Sequence, residues 1–210
     1  MKNSVDTNLN RDAVLDEFWQ LVFQTYGTYC DGFTAFNTLH KKLENDEREM
    51  RERAKGEPII IESFSYGRMV RASMKDQQRE RVLPQFDYED VKARNKIGGR
   101  NYYYIGNMCV VTIYQYWEDH YREELANAMN LKTKNCIFSD IFGDFADLRR
   151  CIIHTGCKAN KKIPRSSEKT WFQENDDIRI NRDIFENLID GIHEFVTEFR
   201  ANPENFIRSC

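Results

Sequence analysis

An arginine and a histidine near residue 150 have the types and the spacing needed to act on a phosphodiester. They lie in the segment Asp147-Leu148-Arg149-Arg150-Cys151-Ile152-Ile153-His154. Arginine is a permanent cation that binds anions through paired hydrogen bonds, and histidine titrates near neutral pH. Together, Arg149 and His154 supply what metal-independent cleavage of a phosphodiester requires, because the arginine can hold the phosphate while the histidine moves a proton.

The positions of these two residues on a helix leave two interpretations open. The apolar residues of the helix form one narrow stripe that must face the core: Ile141, Phe145, Leu148 and Ile152. At about 100° per residue, Arg149 and His154 lie roughly 140° apart, so a tight site requires a loosened helix near Gly156 or a second copy across a two-fold axis. In the other interpretation, Arg149 extends beside the core and His154 is an ordinary helix-end histidine favoured by the helix dipole.

Composition favours a soluble globular chain. The 210 residues are 40% hydrophobic and 31% charged, which argues against general disorder and allows one domain with a sizeable core. The net charge of -3 gives no overall nucleic-acid signature, so any nucleic-acid contact must come from local patches. No stretch approaches the roughly 20 apolar residues of a membrane helix, and the polar N-terminus lacks the apolar core of a signal peptide. We therefore expect no membrane contact.

Six cysteines are spread through the chain without a close-spaced framework. In a chain of this length, that distribution indicates that most of the cysteines are reduced, buried thiols, and it predicts a cytoplasmic protein. A zinc site at Cys151, His154 and Cys157 would lack a fourth ligand nearby in the sequence, and buried thiols beside a helix end explain these residues better. We therefore expect neither a metal nor a cofactor.

Helical patterns separated by polar joints predict an all-α fold, a single helical domain over 1–210. Helices are predicted over 11–30, 34–55, 102–130, 139–155 and 181–200. The first two are separated at Asp31-Gly32 and pack on a core formed by about 102–200, whereas 56–100 is an irregular insertion, including the stretch 84–99. Gly156 follows the fourth helix as a C-cap should.

The segment Leu148-Arg149-Arg150-Cys151-Ile152-Ile153-His154 resembles the R-x4-6-H signature of the HEPN superfamily, helical proteins many of which are metal-independent ribonucleases. The preceding helix carries Tyr116-Trp117-Glu118-Asp119-His120-Tyr121, which is similar to the W-E-x-x-Y type of helix that precedes the signature in several of these families. Gly156 and the amphipathic helix over 184–199 fit the same layout. The resemblance covers roughly residues 102–199.

The resemblance implies a HEPN-like helical bundle that forms a two-fold dimer, with the motif helices lining a shared cleft. Arg149 would bind and polarise the scissile phosphate, and His154 would act as acid or base while the 2′-hydroxyl of the RNA attacks. The product would carry a 2′,3′-cyclic phosphate, with no metal required. The candidate supporting residues are Arg150, Asp147 and Glu118, the last because its carboxylate could orient Arg149 or His154.

Arg150 departs from the superfamily pattern, in which the residue after the motif arginine is commonly small and polar or an amide. A second cation here either strengthens phosphate binding or marks a member that binds RNA without cutting it. The basic loop after the helix supplies candidate RNA-binding residues: Lys158, Lys161, Lys162 and Arg165. Such a loop would attract the RNA backbone and bind it in a salt-sensitive manner.

A second basic cluster leads into three consecutive tyrosines. It consists of Lys92, Arg94, Lys96 and Arg100, with no acidic residue between Lys92 and Arg100, and is followed by Tyr102-Tyr103-Tyr104. Tyrosine rings can stack on unpaired bases. Basic loops are common, however, and tyrosines are commonly core or dimer-interface residues, so this cluster also has a purely structural interpretation.

Two classes of function therefore remain open. The first is a metal-independent endoribonuclease of HEPN type, a toxin or antiviral defence effector like many such proteins, with an antitoxin or other inhibitory protein as partner. The second is a non-catalytic HEPN-like helical module that binds RNA or a partner protein. Both predict a homodimer, but only the first predicts that Arg149 and His154 are each required for RNA cleavage.

Overall fold

Helices account for most of the fold, as the sequence predicts. The computed structural model describes residues 2–55, 63–64, 86–161, 163 and 171–209, and side chains from residue 10 onward apart from those of 63–64. The α-helices are α1 (Lys2–Arg53), α2 (Tyr88–Asn95), α3 (Arg100–Tyr116), α4 (Arg122–Ala128), α5 (Asp140–His154) and α6 (Arg182–Ala201). Two short strands, β1 (Ser63–Phe64) and β2 (Phe86–Asp87), pair antiparallel, with Ser63 opposite Asp87.

The chain is organised in two compact units. One unit contains Met1–Gly32 and Tyr103–Cys210, and the other contains Phe33–Tyr102. The first unit therefore contains all of α4, α5 and α6, nearly all of α3, and the first part of α1. Among the described helices, none combines the length and the apolar character that a membrane span requires.

Aromatic side chains form the centre of the first unit. Trp117 and Phe142 stack with their ring centroids 3.8 Å apart and their planes 5° apart. Phe18 of α1 contacts Trp117 at 5.3 Å, and Phe195 of α6 packs edge-on against Phe142 at 5.2 Å. Such ring pairs add about 0.5–1.5 kcal/mol each beyond the burial of apolar area. This aromatic cluster holds α5 against α1, α6 and the turn that follows α3.

The predicted break at Asp31-Gly32 is wrong, because α1 runs without interruption through both residues. Glycine inside a helix is less favourable than alanine by only about 1 kcal/mol. Tyr29, before the break, packs on Phe185 with a centroid distance of 4.7 Å, and Leu43, after it, is buried in the second unit. Apolar contacts on both sides of the glycine therefore outweigh its low helix propensity.

The second unit contains a helix where the sequence predicted irregular chain over 84–99. Helix α2 begins after Asp87, whose carboxylate accepts a hydrogen bond of 2.6 Å from the backbone N–H of Asp90. Tyr88 and Val91 are buried with Leu43, and the Tyr88 hydroxyl donates to the Leu43 carbonyl at 2.7 Å. A helix of eight residues is too short to show a clear apolar period, which is why the sequence pattern missed it.

A π-helix over Trp117–Tyr121 interrupts the helix predicted over 102–130. Trp117 and Leu125 are both buried, yet eight residues of regular α-helix would place them about 80° apart. The wider turn accommodates one extra residue, which turns the following helix back by about 100° and returns Leu125 to the buried face. The π-helix therefore keeps α3 and α4 facing the same core.

Alkaline solution is expected to destabilise the first unit through Tyr29. Burial raises the pKa of Tyr29 to about 12, and the neighbouring Cys30 thiol adds to the shift. Because the folded pKa exceeds the unfolded value of about 10, the stabilisation is complete below pH 10 and is lost as the pH rises towards 12. Urea unfolding measured between pH 9 and 12 should show this decline. The decline should be smaller in Tyr29→Phe, and an equal decline in that variant would contradict the assignment.

Candidate active site

Helix α5 presents one face to the core and the other to solvent. The buried face contains Phe142, Phe145, Leu148, Cys151 and Ile152, so the predicted stripe is confirmed except for Ile141, which is half-buried. The exposed face carries Arg150, Ile153 and His154. The helix ends as predicted, with Gly156 in the left-handed conformation at φ +62° and the Cys157 N–H donating to the Cys151 carbonyl at 3.1 Å.

Arg149 and His154 come together within one chain. Nη1 of Arg149 lies 3.4 Å from Nε2 of His154. The helix stays regular through His154, so neither a loosened end nor a second copy is needed to bring them into contact. The long arginine side chain spans the 140° that separates the two Cα positions. Because a guanidinium can only donate, the contact requires Nε2 to be the unprotonated acceptor, with the ring proton on Nδ1.

The positive charge of Arg149 has no ionic partner among the described residues. Its side chain is half-buried, and its Nε atom is buried without a hydrogen-bond partner in the described part of the chain. The nearby carboxylate of Asp147 pairs with Arg150 instead, at 2.7 Å from its Nη1. A half-buried guanidinium without a carboxylate is suited to binding an anion, because the anion would satisfy both its charge and its unused donors.

The Asp147–Arg150 pair also determines how much positive charge the second arginine of the motif adds to the site. Arg150 is exposed, but the carboxylate of Asp147 compensates its charge across one turn of α5. The site therefore presents one uncompensated cation, Arg149, beside a neutral pair. Asp147 thus contacts Arg150 and has no contact with Arg149 or His154 in the described structure.

The predicted role of Glu118 as an orienting carboxylate for Arg149 or His154 is not supported by its contacts. Its carboxylate pairs with Arg122 at 2.8 Å and with Lys134 at 3.1 Å. Lys134 also donates to the Glu118 carbonyl at 2.5 Å. Glu118 therefore ties the π-helix to the segment before α5, through partners that its position in the sequence does not reveal.

Replacing Glu118 by glutamine is expected to weaken the fold and to leave unchanged the RNA cleavage that the sequence resemblance implies. Loss of both ion pairs should lower the free energy of unfolding by about 1 kcal/mol, since the carboxylate is only partly screened by solvent. Urea unfolding of Glu118→Gln would be compared with that of Glu123→Gln, which removes an exposed carboxylate on α4. A loss of cleavage at unchanged stability would restore the role predicted from the sequence.

The basic loop after α5 is less cationic than its sequence predicts. Lys158 pairs with Asp177 at 2.5 Å, and the same carboxylate binds Arg179 at 3.0 Å. Hydrogen bonds from these two cations lower the pKa of Asp177, so it stays ionised near neutral pH. Lys161 is exposed and has no ion-pair partner in the described residues, whereas Lys162 and Arg165 lie outside them.

Three of the four cations in the second basic cluster are compensated as well, although no acidic residue lies within it in the sequence. Lys92 pairs with Glu47 at 2.6 Å, and Asp90 pairs with both Arg94 and Arg100, at 3.1 and 3.5 Å. Of the three tyrosines that follow, Tyr102 is buried in the second unit. Among the described residues, Lys96 is exposed and is the one cation of this cluster without an ion-pair partner, so the cluster is less basic than its sequence predicts. Of the three tyrosines, only Tyr103 and Tyr104 are accessible for stacking.

Asn107 is a buried polar residue whose role the sequence analysis missed. It lies on α3 and is only 5% exposed. Its amide N–H group donates to the Ile178 carbonyl at 3.0 Å, and its carbonyl accepts from the Ile180 N–H at 3.1 Å. The sequence does carry a signal for this role, because Asn107 is an amide within an apolar stretch. A buried amide on a helix needs a specific hydrogen-bonding partner.

Comparison with family models, curated proteins and solved structures finds no match to this chain. Within the described residues, no group of three or more histidine, cysteine, aspartate or glutamate side chains is placed to hold a metal ion.

Proposed function

We propose that this protein is a metal-independent endoribonuclease of HEPN type. The observation that carries the proposal is the contact of 3.4 Å between Nη1 of Arg149 and Nε2 of His154, in which the guanidinium has no carboxylate partner among the described residues. One exposed site thus combines an anion-binding group with a group that can accept a proton. This is the minimum that cleavage of RNA by its own 2′-hydroxyl requires.

In the proposed reaction, Nε2 of His154 takes the proton of the 2′-hydroxyl, and the 2′-oxygen attacks the adjacent phosphorus. The bond from phosphorus to the 5′-oxygen breaks, and this oxygen takes a proton from an acid in the cleft or from solvent. Arg149 binds the non-bridging oxygens, whose negative charge grows as the fifth bond to phosphorus forms. The products are a 2′,3′-cyclic phosphate and a free 5′-hydroxyl.

A homodimer is part of the proposal. Pairing about a two-fold axis would place two Arg149–His154 pairs along one cleft, as the resemblance implies. Ile153, next to His154, is 47% exposed, and Met108 of α3 is also exposed, so apolar side chains on both helices are available for contact with a second copy. An antitoxin or other inhibitory protein that covers this cleft would fit a toxin or defence effector.

A non-catalytic module that binds RNA or a partner protein is the second candidate. The observation in its favour is Arg150, which stands where superfamily members commonly have a small polar residue or an amide. This candidate predicts RNA or protein binding, a dimer and no cleavage.

Incubation of the purified chain with a mixed RNA pool in EDTA tests the proposal. We expect cleavage with 2′,3′-cyclic phosphate ends, and we expect both the cleavage and these ends to disappear in His154→Ala. Light scattering on the same samples would establish whether each protein is a folded dimer. A folded, dimeric wild-type chain that cleaves no RNA in the pool would instead favour the non-catalytic module.

A further inference from the structure

The segment around Arg179 is fixed to α3 by hydrogen bonds on both sides of that residue. The side chain of Asn107 bonds the carbonyl of Ile178 and the N–H of Ile180, which are the two neighbours of Arg179. The segment crosses α3 so closely at Gly106 that a Cβ there would lie 2.4 Å from the Ile180 carbonyl oxygen. The backbone of Arg179 is therefore held in one position against the helix.

This position places Arg179 over an aromatic ring. Tyr103 lies one helical turn before Asn107 on α3, and the guanidinium carbon of Arg179 is 5.6 Å from the centre of its ring. Asp177 binds Nη2 of Arg179 at 3.0 Å and restricts the guanidinium further. The Arg179 side chain is nevertheless 59% exposed, so much of the guanidinium remains open to solvent above the ring.

The same segment is hydrogen-bonded to the chain that follows His154. The Ile178 N–H donates to the Cys157 carbonyl at 2.7 Å, and the Ala159 N–H donates to the Asp176 carbonyl at 2.9 Å. Cys157 is three residues after His154, a separation that extended chain spans in at most about 11 Å. The Tyr103–Arg179 pair and the Arg149–His154 pair are therefore built on one hydrogen-bonded scaffold.

The charges around Arg179 favour a base over a phosphate as its ligand. Asp177 binds both Arg179 and Lys158, so its carboxylate offsets part of their attraction for the RNA backbone. What remains accessible is the planar guanidinium supported by an aromatic ring. Unpaired bases stack on such surfaces, whereas the bases of a duplex are already stacked and paired.

We propose that Tyr103 and Arg179 form a base-binding subsite that directs the Arg149–His154 site to single-stranded RNA. This inference rests on the proposed function and names its substrate class. A strand whose scissile phosphate lies on Arg149 would place a neighbouring unpaired base on the Arg179 guanidinium. Asn107 is the positioning residue of the subsite, since it fixes Arg179 above the Tyr103 ring.

Binding of short 2′-O-methyl RNAs, which cannot be cleaved by 2′-hydroxyl attack, tests the subsite by fluorescence anisotropy. Wild-type protein should bind the single strand more tightly than the corresponding duplex. Tyr103→Leu removes the ring, and Arg179→Lys removes the planar group while keeping the charge. Each should weaken single-strand binding about tenfold, within the range for loss of one stacked base. The slope against salt should not change, because no phosphate contact is lost.

Three control variants distinguish the loss of base stacking from a general disturbance of the structure. Tyr103→Phe keeps the ring and should restore binding. Arg208→Lys changes the matching arginine over Phe138, at 3.7 Å from the ring centre and at the other end of α5, and should not affect binding. The double variant should bind no more weakly than the weaker-binding of the two single variants, Tyr103→Leu and Arg179→Lys, because both substitutions disrupt the same surface.

The possible results separate the subsite from the proposed function. If both variants bind the single strand like wild type while cleavage still requires His154, the subsite is wrong and the ribonuclease stands. Duplex RNA bound as tightly as single-stranded RNA would also overturn the subsite. If wild-type protein neither binds nor cleaves RNA, both proposals fail.

Discussion

His154→Ala is expected to lower the rate of RNA cleavage by at least about a hundredfold, because a positioned general base or acid contributes about 10²–10⁴ to the rate. The variant should fold normally, since His154 is exposed at the end of α5 and, among the described residues, its ring is hydrogen-bonded only to the Arg149 side chain. The measurement is the single-turnover rate on RNA in EDTA.

His193→Ala is the matched control for this prediction. His193 is also exposed and lies on α6, where its ring contacts Trp19 at a centroid distance of 5.1 Å. Its removal should leave the cleavage rate within about twofold of wild type, because it has no contact with the Arg149–His154 pair. Equal rates in wild type and His154→Ala would exclude His154 as the proton-transfer group.

Arg149 allows a sharper version of the same experiment. Arg149→Ala should lower cleavage about as strongly as His154→Ala, and Arg149→Lys should recover only part of the rate, because a lysine keeps the charge but not the paired donors. Since the two residues act on one phosphate as a unit, the double variant should be little slower than either single variant. Independent, multiplicative losses would show that the pair does not act as a unit.

Asn107→Ala is expected to have the largest effect on stability, lowering the free energy of unfolding by about 3 kcal/mol. The substitution leaves the Ile178 carbonyl and the Ile180 N–H without their partner, and each unsatisfied buried group costs about 1–3 kcal/mol. Urea unfolding measures the total loss. Faster hydrogen exchange at the Ile180 amide would locate it.

Asn187→Ala provides the control, because that asparagine is half-buried on α6 and donates a hydrogen bond of 2.7 Å to the Asp183 carbonyl within the same helix. Its loss should cost about 1 kcal/mol. If Asn107 positions Arg179, Asn107→Ala should also weaken single-strand RNA binding under conditions where the protein is still fully folded. Unchanged binding in that folded state would limit Asn107 to a structural role.

The parts of the fold that were predictable are those that depend on local pattern. Helix α6 is observed at Arg182–Ala201 and was predicted over 181–200, because its apolar spacing is a strong local signal. The end of α5 at Gly156 was predicted for the same reason. The continuous α1 and the short α2 were not, since both depend on burial of side chains by parts of the chain far away in the sequence.

For the candidate site, the sequence identified the residue types but not their partners. An ideal helix placed Arg149 and His154 too far apart because the calculation considered Cα directions and ignored the length of the arginine side chain. The ion pairs of Glu118 and Lys158 involve Lys134 and Asp177, whose proximity is a property of the tertiary fold. Local charge patterns therefore overstated how basic the surface is.

The π-helix at Trp117–Tyr121 has a consequence for how sequences related to this chain should be aligned. A π-turn forms where a helix contains one additional residue while the residues on both sides of the turn stay in the core. Deleting one residue there would make the helix regular and leave Leu125 about 20° from the direction of Trp117, so both would stay in the core. A relative with a regular helix at this point therefore requires a gap of one residue in this turn. Without that gap every later position shifts, and the arginine and histidine of α5 would be compared with the wrong residues.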